Sequence, residues 1–187
     1  GIGVDLERFS SQPLQNQRSF LMVARMLKTK GVLEYCECAK QVKQKYPDAR
    51  FCYLGAEGDI KLKDIRTYVD AGIIEYLGTT KDVRPYLADC TVLVLPSYRE
   101  GLPMAVMEAE ATGRGIITCD TIGCKDTVKA GYNGFLVPAR DCEALAKCCI
   151  AVIEQPELAA QMGINSRKFA EEKFDEKVIN NYLIQAL

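Results

Sequence analysis

Short apolar runs recur along the chain at residues 20–24, 50–54, 73–77, 91–95, 116–119 and 135–137. Within each run the apolar residues are largely consecutive instead of alternating with polar ones, which is the pattern of short strands buried on both faces. Between most of them, apolar positions recur at helical spacing over residues 31–45, 59–71, 83–88 and 103–112, with a short helical stretch at 124–129. Strand alternating with helix predicts an α/β fold: a doubly wound parallel sheet of about six strands, covered by helices on both faces. The tail changes character, because 141–154, 156–173 and 176–187 read as three successive helices. Pro156 suits a first helical position and Asp175 an N-cap.

At 187 residues the chain is long enough for a substantial core, and length favours one domain. Lys and Arg number 24 against 25 Asp and Glu, a net charge of −1, so no broad field draws the molecule to nucleic acid or to an anionic bilayer. No apolar run approaches the length of a transmembrane span, and residues 1–11, GIGVDLERFSS, do not read as a secretory leader. The nine Cys are scattered and often sit in apolar helical patterns, as reduced thiols filling an intracellular core would; a zinc site is the competing reading. The close Cys spacings are CEC and CC and there is no His, which also removes Ser-His and Cys-His catalysis from these residues.

In open parallel sheets ligands bind outside the carboxyl ends of the strands. Two loops there carry candidate chemistry. Arg25 follows the first strand and Lys30 stands before Gly31 at a helix start, so a guanidinium and an ammonium converge where helix-terminal N–H groups also favour an anion. A solvated basic loop would have the same sequence. After the fourth strand, Glu100 precedes Gly101, Leu102 and Pro103, a turn into a helix whose first N–H groups are anion ligands. Glu108 on that helix has Met104, Ala105, Ala111 and Thr112 as its same-face neighbours, none able to neutralise it. Ligand hydroxyls could supply its donors; so could solvent or nearby backbone. Glu110, with Arg114 four residues on, reads as an ordinary exposed pair. The stretch 55–59 lacks GxGxxG spacing and reads as a turn, as do Gly123, Gly131 and Gly134.

These residues together resemble the retaining glycosyltransferases of family 4. Gly3-Val4-Asp5 with Phe9 is similar to that family's GVDxxxF, Ala24-Arg25 through Lys30-Gly31 to its GRxxxxKG, and Tyr132 through Pro138 to its NGxLVP segment. Most specific is Glu100-Gly101-Leu102-Pro103 through Glu108-Ala109, which resembles EGxP…EA. Three positions depart: Ala24 replaces the first Gly of GRxxxxKG, Glu110 stands within the usual EAMA, and Arg114 within the usual GxP.

The resemblance implies a Rossmann-like domain with a helical C-terminal tail, the donor-binding C-terminal half (residues 1–187) of a GT-B glycosyltransferase whose acceptor-binding N-terminal domain is absent from this chain. By that resemblance Arg25 and Lys30 would hold the donor diphosphate in place of a metal, and Glu100 would bind the donor sugar. Backbone N–H groups from Gly101 through Leu102 and Pro103 to Met104 would line sugar and phosphates, Glu108 would take the ribose hydroxyls, and the backbone at Thr79 and Thr80 would approach the base. No metal or cofactor is implied beyond the nucleotide-sugar substrate. Residues 82–86 and 123–128 look closest to members that build bacterial capsule or O-antigen units. This implies transfer of a hexosyl group from a UDP-sugar, with retention, to a saccharide or polyprenyl-diphosphate-linked acceptor at the cytoplasmic face of the membrane. The donor half alone would transfer nothing. A nucleotide-sugar epimerase of similar architecture and a non-catalytic nucleotide-binding or scaffold module are the alternatives.

Overall fold

The computed structural model describes residues 2–186. Six strands, β1 (Ser19–Val23), β2 (Arg50–Leu54), β3 (Glu75–Tyr76), β4 (Val92–Leu95), β5 (Gly115–Cys119) and β6 (Gly134–Val137), form one sheet in the order β3-β2-β1-β4-β5-β6. Each neighbouring pair is parallel; Leu21 of β1, for example, lies opposite Cys52 of β2 and Leu93 of β4. Seven helices accompany them among the described residues: α1 (Val32–Lys45), α2 (Leu62–Asp70), α3 (Arg84–Asp89), α4 (Met104–Thr112), α5 (Cys142–Glu154), α6 (Pro156–Lys173) and α7 (Glu176–Gln185).

The consecutive apolar runs of the interior strands are buried on both faces: Leu21, Met22, Leu93, Val94, Ile116 and Ile117 are each at most 1% exposed. The runs at 73–77 and 135–137 form the edge strands and are only partly covered, with Ile73, Tyr76, Phe135 and Leu136 half-buried and Glu75 exposed. Right-handed crossovers that run outward in opposite directions from β1 and β4 place their helices on opposite faces, and α1 packs beside α5 while α4 packs beside α6. The Phe20 and Phe51 rings stack at 4.7 Å across β1 and β2, and the Tyr35 hydroxyl donates to the Cys52 carbonyl at 2.8 Å, fastening α1 to the sheet. Seven of the nine Cys are buried and all are free thiols. Burial pushes Cys36 and Cys119 up to about 12, so these thiols serve as small apolar side chains.

Several boundaries differ from the sequence pattern. The edge strand β3 keeps only two of the five residues expected, because the Ile73 and Ile74 N–H groups are spent on the Tyr68 carbonyl (2.9 and 3.2 Å) closing the end of α2. Helix α2 starts three residues late, since Asp59 accepts the Lys28 N–H at 2.8 Å and belongs to a loop contact instead. Residues 124–129 form turns, not a helix; Thr127 returns both its N–H and its hydroxyl to the Cys124 carbonyl. Pro103 is the residue just outside α4, one position earlier than expected. The expected end of the last helix at residue 187 lies outside the described residues; α7 is described to Gln185.

The expected exposed pair of Glu110 and Arg114 does not exist. Both side chains are buried, and they are not paired, because Gly113 at φ 86 ends α4 and turns the chain before Arg114 can occupy the i+4 position of a helix. Arg114 donates to five backbone carbonyls, those of Leu87, Ala88, Gln12, Pro13 and Gly113. Glu110 accepts only from Asn133 Nδ2, at 2.8 Å, and its second oxygen is buried without a partner among the described residues.

Burial therefore raises the Glu110 carboxyl well above 4.5, opposed only by the Asn133 bond. Above pH 4.5 the unfolded chain ionises first, so stability is lost with rising pH until the folded-state value is passed, at about 1.4 kcal/mol per pH unit. Glu110→Gln keeps an oxygen for Asn133 and removes the titration. The variant should match the wild type in urea unfolding near pH 4 and exceed it at pH 7. Parallel stability curves across that range would sink this account.

Candidate functional site

The strand order reverses between β1 and β4, so the loops leaving their carboxyl ends diverge to opposite faces and open a crevice between them. One wall is the β1–α1 loop, which carries Arg25 and a single 3₁₀ turn at Lys28–Lys30. This loop is braced from below by the stretch read in the sequence as a simple turn. Met26 N–H donates to the Ala56 carbonyl at 2.8 Å, Lys28 N–H to Asp59, and Arg25 Nε to the Glu57 carbonyl at 3.3 Å. Gly31 ends the 3₁₀ turn at φ 79, and a Cβ there would stand 2.1 Å from the Pro96 carbonyl oxygen. Only glycine lets the two walls approach this closely.

The other wall is the β4–α4 loop. Lys30 Nζ reaches across the crevice to Glu100 Oε1 at 2.5 Å, with side chains 25% and 10% exposed. The loop is held from both sides: Tyr98 N–H and Ser97 Oγ donate to the Thr29 carbonyl (2.8 and 3.2 Å), and Glu100 N–H donates to the Ile122 carbonyl (3.0 Å). Gly123, at φ 82, lies flat against it; a Cβ there would be 2.2 Å from both the Glu100 and Gly101 oxygens. A Cβ on Gly101 would meet nothing within 4 Å, so open space adjoins the backbone beside Glu100. Leu102 and Met104 are exposed beside it, Pro103 is buried, and α4 starts without a side-chain cap, leaving the first N–H groups of the helix without an intrahelical partner.

Farther along α4, Glu108 is half-buried and its carboxylate has no hydrogen-bond donor among the described residues. Burial raises its pKa, and the positive charge of Arg8 partly offsets this. Arg25 and Thr80 share a cavity of about 270 Å3 lined also by Val23, Gly55 and Val83. The Thr80 hydroxyl is occupied within its own turn, donating to the Asp82 carbonyl and accepting the Asp82 N–H, which leaves the backbone as the group available to a ligand. The structure thus brings Lys30 to Glu100 and Arg25 to Thr80, while among the described residues no hydrogen bond joins Glu108 to either pair.

Sequence reasoning passed over a third group. The Tyr98 hydroxyl donates to Glu34 in the first turn of α1, and the Arg140 guanidinium lies 4.7 Å from the centre of the Tyr98 ring. Burial, then the Glu34 bond, push the Tyr98 phenol up to about 12, so it remains a donor at neutral pH. Arg140 adopts φ 65, a left-handed conformation that costs a non-glycine residue about 1–2 kcal/mol. No periodicity or motif spacing marks these residues.

Residues 17–155 match the family described as glycosyl transferases group 1. The chain is 31% identical over 159 residues to the N,N'-diacetylbacillosaminyl-diphospho-undecaprenol alpha-1,3-N-acetylgalactosaminyltransferase of Campylobacter jejuni, a match covering 85% of this chain and 41% of that protein. It spans less than half the length of the first curated relatives it matches. Among solved structures it is similar to Anabaena Alr3699/HepE in complex with UDP (TM-score 0.87, 19% identity, covering 98% of this chain and 55% of that one). It is also similar to the C-terminal domain of the group 1 family protein LpcC from Francisella tularensis (TM-score 0.80, 21% identity, 93% of this chain and 100% of that one).

Proposed function

This chain belongs to the group 1 glycosyl transferases, and on that premise we propose that it is the donor-binding half of a retaining hexosyltransferase that uses a UDP-sugar. The observation that carries the reading is the meeting of Lys30 and Glu100 across the β1/β4 crevice, the place where an open parallel sheet takes its ligand. An ammonium and a carboxylate, 25% and 10% exposed, suit a ligand that presents phosphates on one side and hydroxyls on the other. The donor diphosphate lies against Arg25, Lys30 and the first N–H groups of α4, and the sugar hydroxyls donate to Glu100 over the open space at Gly101. The ribose hydroxyls supply Glu108 with the donors it lacks, and the base enters the cavity at Thr80.

In the transfer, the bond from the anomeric carbon to the diphosphate oxygen breaks as negative charge grows on the departing nucleotide. Arg25 and Lys30 stabilise that charge, a task two neighbouring cations can perform in place of a divalent ion. The acceptor hydroxyl attacks from the same face, its proton passing to the leaving diphosphate, so the anomeric configuration is retained. The acceptor side of the cleft would come from a domain outside this chain, and this half alone would transfer nothing. The Campylobacter relative is named for a diphospho-undecaprenol acceptor, which supports a polyprenyl-diphosphate-linked saccharide as the acceptor class here and a working place at the inner membrane face. No helix among the described residues is long and apolar enough to cross a membrane.

Calorimetric titration of the chain with UDP, UDP-sugars and GDP-sugars, without added metal, tests the reading. Uridine nucleotides should bind, and Glu108→Ala should weaken them about 10- to 100-fold, the loss of hydrogen bonds to a charged acceptor. Equal affinity in wild type and variant would remove Glu108 from the site.

A further inference from the structure

We propose that Tyr98, Glu34 and Arg140 form a positioning cluster that fixes the register of the Lys30–Glu100 pair for a nucleoside diphosphate; the inference rests on the donor-binding reading above. Lys30 carries its charge on a flexible four-carbon stem, so where the ammonium sits depends on how the 3₁₀ turn is held relative to the opposite loop. Tyr98 is the residue through which three loops of the same sheet edge meet. Its N–H is bonded to the carbonyl of Thr29, the neighbour of Lys30, and it stands two residues before Glu100. Its phenol reaches Glu34 on the first turn of α1, and its ring carries the guanidinium of Arg140 from the loop between β6 and α5.

Neither Glu34 nor Arg140 is hydrogen-bonded to Lys30 or Glu100 among the described residues. Their influence on the pair therefore runs through Tyr98. Arg140 holds its guanidinium on that ring from a backbone conformation that L-residues seldom adopt. A strained residue retained at the rim of a candidate site is more readily explained by what its side chain holds than by the loop alone. With the guanidinium on the ring face and the phenol committed to Glu34, Tyr98 has one orientation, and the distance between Thr29 and Glu100 is set with it.

The test is calorimetry of this chain with UMP and with UDP, because the two differ only in the second phosphate, the group that Lys30, held by Glu100, would meet. Wild type should bind UDP more tightly than UMP. Tyr98→Phe, which keeps the ring under Arg140, and Glu34→Ala should each cut UDP affinity about 3- to 10-fold while leaving UMP affinity unchanged, the loss of one hydrogen bond. Glu34→Gln still accepts the phenol proton and should restore the preference. An unchanged UDP-to-UMP ratio in Tyr98→Phe and Glu34→Ala, or equal weakening of both nucleotides, would overturn the proposal and leave the donor-binding reading standing. A wild-type chain that binds neither nucleotide at millimolar concentration would overturn that reading and this inference with it.

Discussion

Arg25→Ala in a complete transferase should lower turnover by about 100- to 1000-fold, the loss measured where one donor to a developing oxyanion is removed. Nucleotide affinity should change far less, because the charge Arg25 meets is larger in the transition state than in the bound donor. The variant is clean because Arg25 is exposed and makes only one long bond, to the Glu57 carbonyl, among the described residues. Its unfolding midpoint should not move. Lys30→Ala is the less informative change: it leaves Glu100, 10% exposed, without its counter-charge, so lost activity would mix with lost stability. Steady-state kinetics of Arg25→Ala with turnover within a factor of three of wild type would remove Arg25 from the chemistry.

The parts of the fold written in consecutive apolar residues were legible. A run such as residues 91–95 can be satisfied only by burial on both faces, and the alternation of such runs with helical stretches admits few topologies. The candidate site was legible to the same extent as its side chains are unusual for their surroundings: Glu108 on an apolar face, Glu100 before a helix start, two cations in one loop. Tyr98, Glu34 and Arg140 were not, since a tyrosine in a loop, a glutamate in a first helical turn and an arginine beside a helix start are each common, and only three-dimensional contact distinguishes them. The Glu110 and Arg114 expectation failed for a local reason. Spacing of four implies a shared face only while the helix continues, and Gly113 stops it.

That failure leads to the largest stability effect expected of one side chain here. Arg114 is fully buried, and burial lowers its pKa from 12.5 without bringing it near neutrality as a group that is always charged. Its donors end on the Leu87 and Ala88 carbonyls (2.9 and 2.8 Å) in the last turn of α3, where the helix dipole is negative, and on those of Gln12 and Pro13 (both 3.0 Å). One guanidinium thus ties the N-terminal segment, α3 and the end of α4 together. The Arg114 N–H also donates to the Ala109 carbonyl at 2.9 Å, a bond a proline at this position would lack. Arg114→Met fills similar volume but leaves these buried carbonyls without donors, and should cost about 3–5 kcal/mol. At about 2–4 °C per kcal/mol for a domain of this size, thermal unfolding should move down by roughly 6–20 °C. Arg114→Lys keeps a charge but lacks the planar fork and should recover only part of the loss. A urea unfolding free energy for Arg114→Met within about 1 kcal/mol of wild type would mean that water replaces the guanidinium and that the three segments are joined by apolar contact alone.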